Sequence, residues 1–407
     1  MTASLLNRAE SLTPAHRRIL AFAWGGWFTG FGSLMLLSFL LEPVKRQFGP
    51  SEIQLAWLTG TAIGASGVGG FVFGWLADAF GRKTSIAVAI LTFVAGNLLA
   101  ALAPSFEFFF FARLLTGLGV GGSWGAGQAF VGETFPPHLR GRYSAYAQSG
   151  APLGLGAAAI LGSFAEPVIG WRGVFALGAL PLLLLLLLRS VPESDVWGRA
   201  GRRSLATIAS GFFHRGTFGI FASCWLLTAL NMSNYYFMIT WLPRYLQVER
   251  GLSIARSGWA TLAFVAGALV GYPAFGFAAD RWGRRASFTM FSFLTALGLL
   301  MFTVLYGALG SPVLVLVFLF VAGVGTGTWS LFGPMMSEVF ATDVRGSAMS
   351  IIMNSTRAVQ FGAPVVIAAV APRWGMSGGI ALAAGFALLA AAWVWTLPET
   401  KGRAIES

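Results

Sequence analysis

Charge is scarce in this sequence and acidic charge scarcest, with 27 Lys and Arg and 15 Asp and Glu among 407 residues that are 56% hydrophobic. A mean hydropathy of +0.73 lies far above that of water-soluble globular chains. A soluble enzyme is thereby excluded. The net charge of +12 comes from so few residues that they belong in loops, which sets aside nucleic-acid binding as the meaning of the basic balance. Cysteine is nearly absent: Cys224, in an apolar run, is the only one, so no internal disulfide and no cysteine metal cluster is available. His16, His138 and His214 are scattered through polar or basic stretches and offer no ligand spacing. Neither a metal nor another cofactor is expected.

What is present is long apolar runs. A membrane-spanning helix needs about 20 largely apolar residues, and twelve such runs follow one another at 19–41, 54–77, 84–104, 106–132, 143–166, 170–190, 217–243, 254–279, 286–309, 312–337, 347–371 and 376–397. The first is too long, and leads too directly into the next, for a cleavable signal. The expected fold class is an all-α membrane protein of twelve transmembrane helices in two six-helix bundles. Residues 1–190 would form the first bundle, 191–216 a cytoplasmic central loop and 217–407 the second bundle.

An even number of spans puts both termini on one side. Eighteen basic residues fall on the terminal side, among them Arg82, Lys83, Arg140, Arg142, Arg284, Arg285 and Arg345; seven fall opposite: Lys45, Arg46, Arg172, Arg244, Arg250, Arg256 and Arg373. By the positive-inside rule the termini are cytoplasmic. Two arginines, Arg113 and Arg357, fall inside spans.

The two halves repeat one another. Gly74-Trp-Leu-Ala-Asp78-Ala-Phe-Gly81-Arg82-Lys83 recurs as Gly276-Phe-Ala-Ala-Asp280-Arg-Trp-Gly283-Arg284-Arg285, an offset of 202 (280 minus 78). Glu133-Thr-Phe135 with Arg140-Gly141 recurs as Glu338-Val-Phe340 with Arg345-Gly346, an offset of 205 (345 minus 140). Pro192-Glu193-Ser194 recurs as Pro398-Glu399-Thr400, an offset of 206 (398 minus 192). Three collinear matches indicate a parallel internal repeat.

With the glycines Gly117, Gly119, Gly121 and Gly122 that follow Arg113, these motifs resemble the major facilitator superfamily over essentially the whole chain. Glu133-Thr-Phe-Pro-Pro-His-Leu-Arg-Gly141 and Pro398-Glu-Thr-Lys-Gly402 resemble its sugar-porter and organic-acid branches. Trp241-Leu-Pro-Arg-Tyr-Leu246 is similar to the bacterial aromatic-acid and metabolite:proton symporters. The resemblance implies a conformational latch on the cytoplasmic side. Asp78 would pair with cationic groups including Arg140 or Arg142, Glu133 would pair with Arg140 and Glu338 with Arg345, and Arg82, Asp280 and Arg284 would belong to the same latch. The resemblance also implies a structural or gating role for Arg113, which from its depth is expected to snorkel to the interface. Gly117, Gly119, Gly121, Gly122 and Gly125 would thin the fourth span for a close neighbour.

Arg357 reads differently. It lies 11 residues beyond Gly346 (357 minus 346), or about 16 Å at 1.5 Å per residue, near the middle of a hydrocarbon layer about 30 Å thick. Ser350, Asn354, Arg357 and Phe361 form one stripe at helical spacing. None of the acidic residues reaches such depth: Glu42, Glu52, Glu107, Glu166 and Glu249 belong to the outer side and the others to the cytoplasmic side. An embedded cation without an embedded acid points to an anionic ligand, or to a network of carbonyls and water. Asn231, Asn234, Tyr235 and Met238 form a second stripe on span seven that suits hydrogen bonding to a polar ligand. Trp24, Trp27 and Phe31, with Trp124 and Gln128, are candidate aromatic and amide walls.

The sequence therefore predicts an inner-membrane carrier, functional as a monomer in the lipid bilayer, that moves a small organic anion, a carboxylate first of all, by alternating access. Its coupling is proton symport or exchange for a counter-anion. Gly26-Trp27 leads into Phe28-Thr-Gly-Phe-Gly-Ser33 with no aspartate, which argues against a proton-carrying side chain there. The alternatives are a sugar or polyol:proton symporter and, less well supported, a drug exporter. An enzyme would need paired acids, a nucleophile with its base, or a metal set at depth, and the sequence offers none. A sensor would need an appended soluble domain, for which the short segment after the last span leaves no room.

Overall fold

A computed structural model describes residues 12–194, 217–306, 311–340 and 345–401. Among these residues the elements are all helical. By backbone proximity the chain divides into two compact units, Met1–Pro50 with Thr61–Ser204, and Ser51–Gly60 with Leu205–Ser407.

The first unit contains α1 (Pro14–Phe48), α2 from Thr61 onward (the whole helix runs Glu52–Phe80), α3 (Arg82–Ala101), α4 (Phe106–Thr134), α5 (Pro137–Gln148), α6 (Gly150–Ile160) and α7 (Glu166–Leu177), the last followed by a 3-10 segment at Leu180–Arg189. Local chemistry fixes the ends. α1 starts with Pro14 at its first position, and the Nδ1 of His16 accepts the Thr13 N–H at 3.0 Å. His16, though flanked in sequence by polar and basic residues, is fully buried, its ring edge-on to Phe135 at 4.9 Å. α4 begins where Ser105 Oγ accepts the Phe108 N–H. The unit's packing pairs α3 with α4, and α1 with α4 and α6.

The second unit contains α8 (Thr217–Ile239), α9 (Leu242–Val248), α10 (Ile254–Trp282), α11 (Arg284–Phe302), α12 (Pro312–Gly325), a 3-10 turn at Thr326–Thr328, α13 (Trp329–Val339), α14 (Arg345–Val359) and α15 (Gly362–Trp393). Here α10 packs on α12, α11 on α12 and α15, and α8 on α14 and α15. The first turns of α2 belong to this unit. Glu52 there pairs with Arg244, whose second guanidinium nitrogen donates at 2.9 Å, and Trp57 stacks on Phe361 at 6.0 Å.

Eight stretches among the described residues are long and apolar enough to cross a membrane. Two of them, 142–189 and 348–396, each hold two of the expected spans in succession. The breaks fall where the apolar runs end, at Gly170 (φ 70°) and Gly375 (φ 69°). α4 and α8, 29 and 23 residues long, occupy the two remaining expected positions; glycines and polar side chains dilute their hydropathy.

Every residue with positive φ among those described is glycine, and all six pair across the repeat: Gly49 with Gly251, Gly81 with Gly283, and Gly170 with Gly375. Each would strain any residue carrying a Cβ. The repeat is therefore one of chain reversals as much as of charged motifs. On α4 the expected close approach is present at Gly117 and Gly121, where a Cβ would collide with the Ala62 and Ser66 carbonyl oxygens of α2. It is absent at Gly125, which has open space on that side and is no packing glycine.

Candidate functional site

The three repeated motifs meet in one charge cluster per unit. In the first, Arg82 opens α3; its Nη1 pairs with Asp78 one turn back on α2, and its Nε and Nη2 donate to Glu133 Oε1 at 3.0 and 2.8 Å. Ser194 Oγ donates to Glu133 Oε2 at 2.5 Å. Glu193 accepts the backbone N–H groups of Arg82 and Lys83 at 3.0 and 3.2 Å. In the second unit, Arg284 donates to Asp280 at 3.3 Å and to Glu338 at 3.2 Å, and Glu399 accepts the N–H groups of Arg284 and Arg285 at 2.9 and 3.1 Å.

Burial raises the Glu399 pKa, but the N–H groups of Arg284, Arg285, Lys401 and Thr400 outweigh it and hold the carboxyl below its ordinary range. Those of Arg284 and Arg285 are the free amides of the α11 amino terminus, where a carboxylate is favoured, and those of Thr400 and Lys401 come from the chain just after Glu399. Sequence reasoning assigned Glu133 to Arg140 and Glu338 to Arg345, and among the described side chains their cationic partners are Arg82 and Arg284. The side chains of Arg140 and Arg345 lie outside the described residues. The capping role of Glu193 and Glu399 was missed, although their repeated Pro-Glu-Ser/Thr context signalled it.

Arg113 does not snorkel. It is fully buried, and its Nη2 donates to the carbonyl oxygens of Ser33 (2.9 Å) and Leu34 (3.2 Å) on α1. Its Nη1 donates to Asn97 Oδ1 on α3 at 3.1 Å, and Asn97 Nδ2 in turn donates to Ser33 Oγ at 2.8 Å. The Phe175 ring of α7 lies 5.2 Å from the guanidinium carbon. Those acceptors lie inside the unit, so the side chain turns inward rather than toward an interface and ties α4 to α1, α3 and α7.

The other expected residues of the first unit form a wall on α1, α4 and α5. Trp27 and Trp124 rings lie 6.3 Å apart, and Trp27 leans on Phe31 at 5.2 Å. Gln148 Oε1 accepts from Trp124 Nε1 at 2.8 Å and from Gln128 Nε2 at 3.5 Å. Gln148, at the end of α5, was not anticipated.

In the second unit Arg357 is buried in the last turn of α14, and its guanidinium interacts electrostatically with the Tyr236 hydroxyl of α8. Asn354, one turn earlier, donates to Ser350 Oγ at 3.3 Å. Asn231 accepts from Thr328 Oγ1 at 2.9 Å, and Tyr235 meets Trp329 edge-on at 5.6 Å. Ser233 donates to Gln360 at 3.1 Å, and Thr356 to the Met232 sulfur at 3.3 Å, so the length of α8 carrying residues 231–236 runs against the end of α14. The expected stripe ends before Phe361. Three-residue hydrogen bonds at Gln360 and Phe361 tighten the chain there, and Phe361 is 44% exposed. Tyr236, Thr328, Trp329 and Gln360 were not anticipated: Tyr236 lies one residue off the predicted stripe, and the others lie on elements whose approach only the fold reveals.

Comparison with known proteins agrees with this organisation. The sialic acid transporter of Escherichia coli is 31% identical over 368 residues, covering 83% of this chain and 89% of that protein. The cis,cis-muconate transport protein of Acinetobacter baylyi is 28% identical over 406 residues, covering 95% of this chain and 94% of that protein. A crystal structure of a D-xylose–proton symporter superposes with a TM-score of 0.78 at 21% identity, covering 95% of this chain and 98% of that one, a likeness of fold. The Major Facilitator Superfamily profile matches residues 22–258 and 224–407. With both halves matched, the chain belongs to the Major Facilitator Superfamily, and it is a multi-pass membrane transporter rather than an enzyme.

Proposed function

We propose that this transporter carries a small organic carboxylate across a bacterial inner membrane by alternating access, with both termini cytoplasmic and with proton symport or anion exchange as its coupling. The observation that carries this reading is Arg357: a guanidinium buried at midspan depth, on the end of α14 that runs against the asparagine- and tyrosine-bearing length of α8. An ionisable side chain held at that depth is a candidate for ligand recognition, and a guanidinium selects an anion. The planar guanidinium fork suits a carboxylate's two oxygens. Tyr235 and Trp329 supply an aromatic surface for the ligand's apolar part. The two relatives described above are named for organic acids, sialic acid and cis,cis-muconate.

The repeated charge clusters act as the latch of the cycle in this reading, remote from substrate, and the monomer is the working form. The test is counterflow in proteoliposomes with benzoate, cis,cis-muconate and sialic acid, each set against its neutral amide, and with D-xylose. Exchange of a carboxylate but not of its amide is expected. Exchange of xylose alone would replace this reading with the sugar-porter one.

A further inference from the structure

Three side-chain amides in the second unit are almost completely buried and incompletely matched. Asn231, Asn234 and Asn354 are 2%, 4% and 1% exposed. Asn231 Nδ2, Asn234 Oδ1 and Asn354 Oδ1 have no hydrogen-bond partner. A buried polar atom left unmatched is destabilising, and three on one seam call for an explanation. Asn231 and Asn234 lie one turn apart on α8, and Asn354 lies one turn before Arg357 on α14. The bonds from Ser233 to Gln360 and from Thr356 to the Met232 sulfur join these lengths of helix. The amides therefore occupy the stretch that carries the guanidinium.

Their existing partners are hydroxyls, Thr328 for Asn231 and Ser350 for Asn354. A hydroxyl serves either end of an amide, so turning these two amides over exchanges the unmatched atom without matching it. What completes such a set is a group that both donates and accepts. A carboxylate only accepts, and it is already suited to Arg357. The complementary ligand group is a hydroxyl on the same molecule as the carboxylate.

We propose that Asn231, Asn234 and Asn354 select, among carboxylates, those that also carry a hydroxyl group. This deepens the carboxylate reading and rests on it. The amides are specificity residues: they decide which acid is accepted, whereas Arg357 decides that an acid is accepted. A site built to hydrogen-bond a ligand hydroxyl discriminates strongly against the analogue lacking it, because the protein groups are then left buried and unpaired.

The experiment is competition binding in detergent with benzoate, the three hydroxybenzoate isomers and the three methoxybenzoates, on the parent, Asn234→Leu and Asn354→Leu. At least one hydroxybenzoate should bind the parent about tenfold or more tightly than benzoate. The matching methoxybenzoate, which cannot donate, should lose that advantage. In at least one leucine variant the preference should fall to within about twofold while benzoate affinity stays within about threefold. The benzoate measurement also reports whether each variant is folded. If all three isomers bind the parent no better than benzoate, the hydroxyl inference is overturned on the parent alone and the carboxylate reading survives. Persistence of the preference in both folded variants overturns it as well. If no benzoate derivative binds while a neutral sugar does, the carboxylate reading fails and takes the inference with it.

Discussion

Glu399 accepts the backbone N–H of Arg284 at 2.9 Å across a sequence separation of 115 residues, closing the amino terminus of α11. Glu193 does the same for Arg82 at 3.0 Å, 111 residues away. The two carboxylates hold the segments around Glu193 and Glu399 against the turns that open α3 and α11.

The first prediction follows from that cap. Glu399→Gln keeps the size of the side chain but loses the charge that four N–H groups favour, so the variant should melt at a lower temperature than the parent at pH 7. Because the native carboxyl titrates below its ordinary value of 4.5, its stabilisation is complete above that value. It is lost as the pH falls through the depressed native value. The gap between parent and variant should therefore be widest at neutral pH and close on acidification. A gap that widens toward acid would contradict the assignment.

Arg82 is the hub of the first cluster, joining Asp78, Glu133 and, through Glu133, Ser194. Arg82→Ala should slow transport strongly while leaving ligand affinity in detergent within a few fold. Asp78→Asn should act in the same direction and more weakly, since Asp78 is exposed and supplies one of the three contacts. A coupling of about 1 to 3 kcal/mol is the ordinary scale for such a bias between states. Normal turnover in Arg82→Ala would remove the latch role.

The apolar runs and the repeat made the fold legible, because hydropathy and chain reversals are local properties. Gly170 and Gly375 sit where the fifth and sixth, and the eleventh and twelfth, runs part. The charged motifs were legible as repeats, but their convergence was not. An offset relates Glu133 to Glu338 and Glu193 to Glu399, yet nothing in it says that both acids of one half meet the same arginine. Arg113 was misplaced because depth alone decided its reading, and the Ser33 and Leu34 carbonyls that bind it have no signature in sequence. Asn231, Asn234, Asn354 and Arg357 stood out because polar side chains in apolar runs are conspicuous. Tyr236 and Trp329 did not, since aromatic residues are common in such helices.

The glycines of α4 separate into two kinds. A methyl group at Gly121 would overlap the Ser66 carbonyl oxygen, whereas at Gly125 it meets nothing within 4 Å. Gly121→Ala should lower yield and melting temperature, through overpacking that typically costs about 1 to 3 kcal/mol. Gly125→Ala should be neutral. Equal effects at the two positions would show that helix propensity, not close approach, governs this helix.

Arg113 should behave as a structural arginine. Alanine there leaves the Ser33 and Leu34 carbonyls and Asn97 Oδ1 buried without their donor, and lysine, with one ammonium, cannot reach all three. Both variants should lose stability, on the order of 3 kcal/mol for alanine, and whatever folded fraction remains should bind ligand with the parent's affinity. A stable Arg113→Ala protein with weakened anion binding would move Arg113 to the substrate.

Arg357 should behave in the opposite way. If its guanidinium balances a carboxylate, Arg357→Ala removes a charge-assisted contact whose loss typically costs about 2 to 5 kcal/mol, a fall in affinity of roughly thirty-fold or more. Arg357→Lys keeps the charge without the planar fork and should retain partial binding, while Arg357→Gln should resemble alanine. The order Arg, then Lys, then Gln and Ala distinguishes anion recognition from packing, and the ligand's neutral amide supplies the control. A structural arginine would weaken acid and amide together, whereas a recognition arginine weakens the acid and leaves the amide nearly unchanged. A folded Arg357→Ala protein that binds the acid as the parent does would remove the residue from recognition, and the carboxylate reading with it.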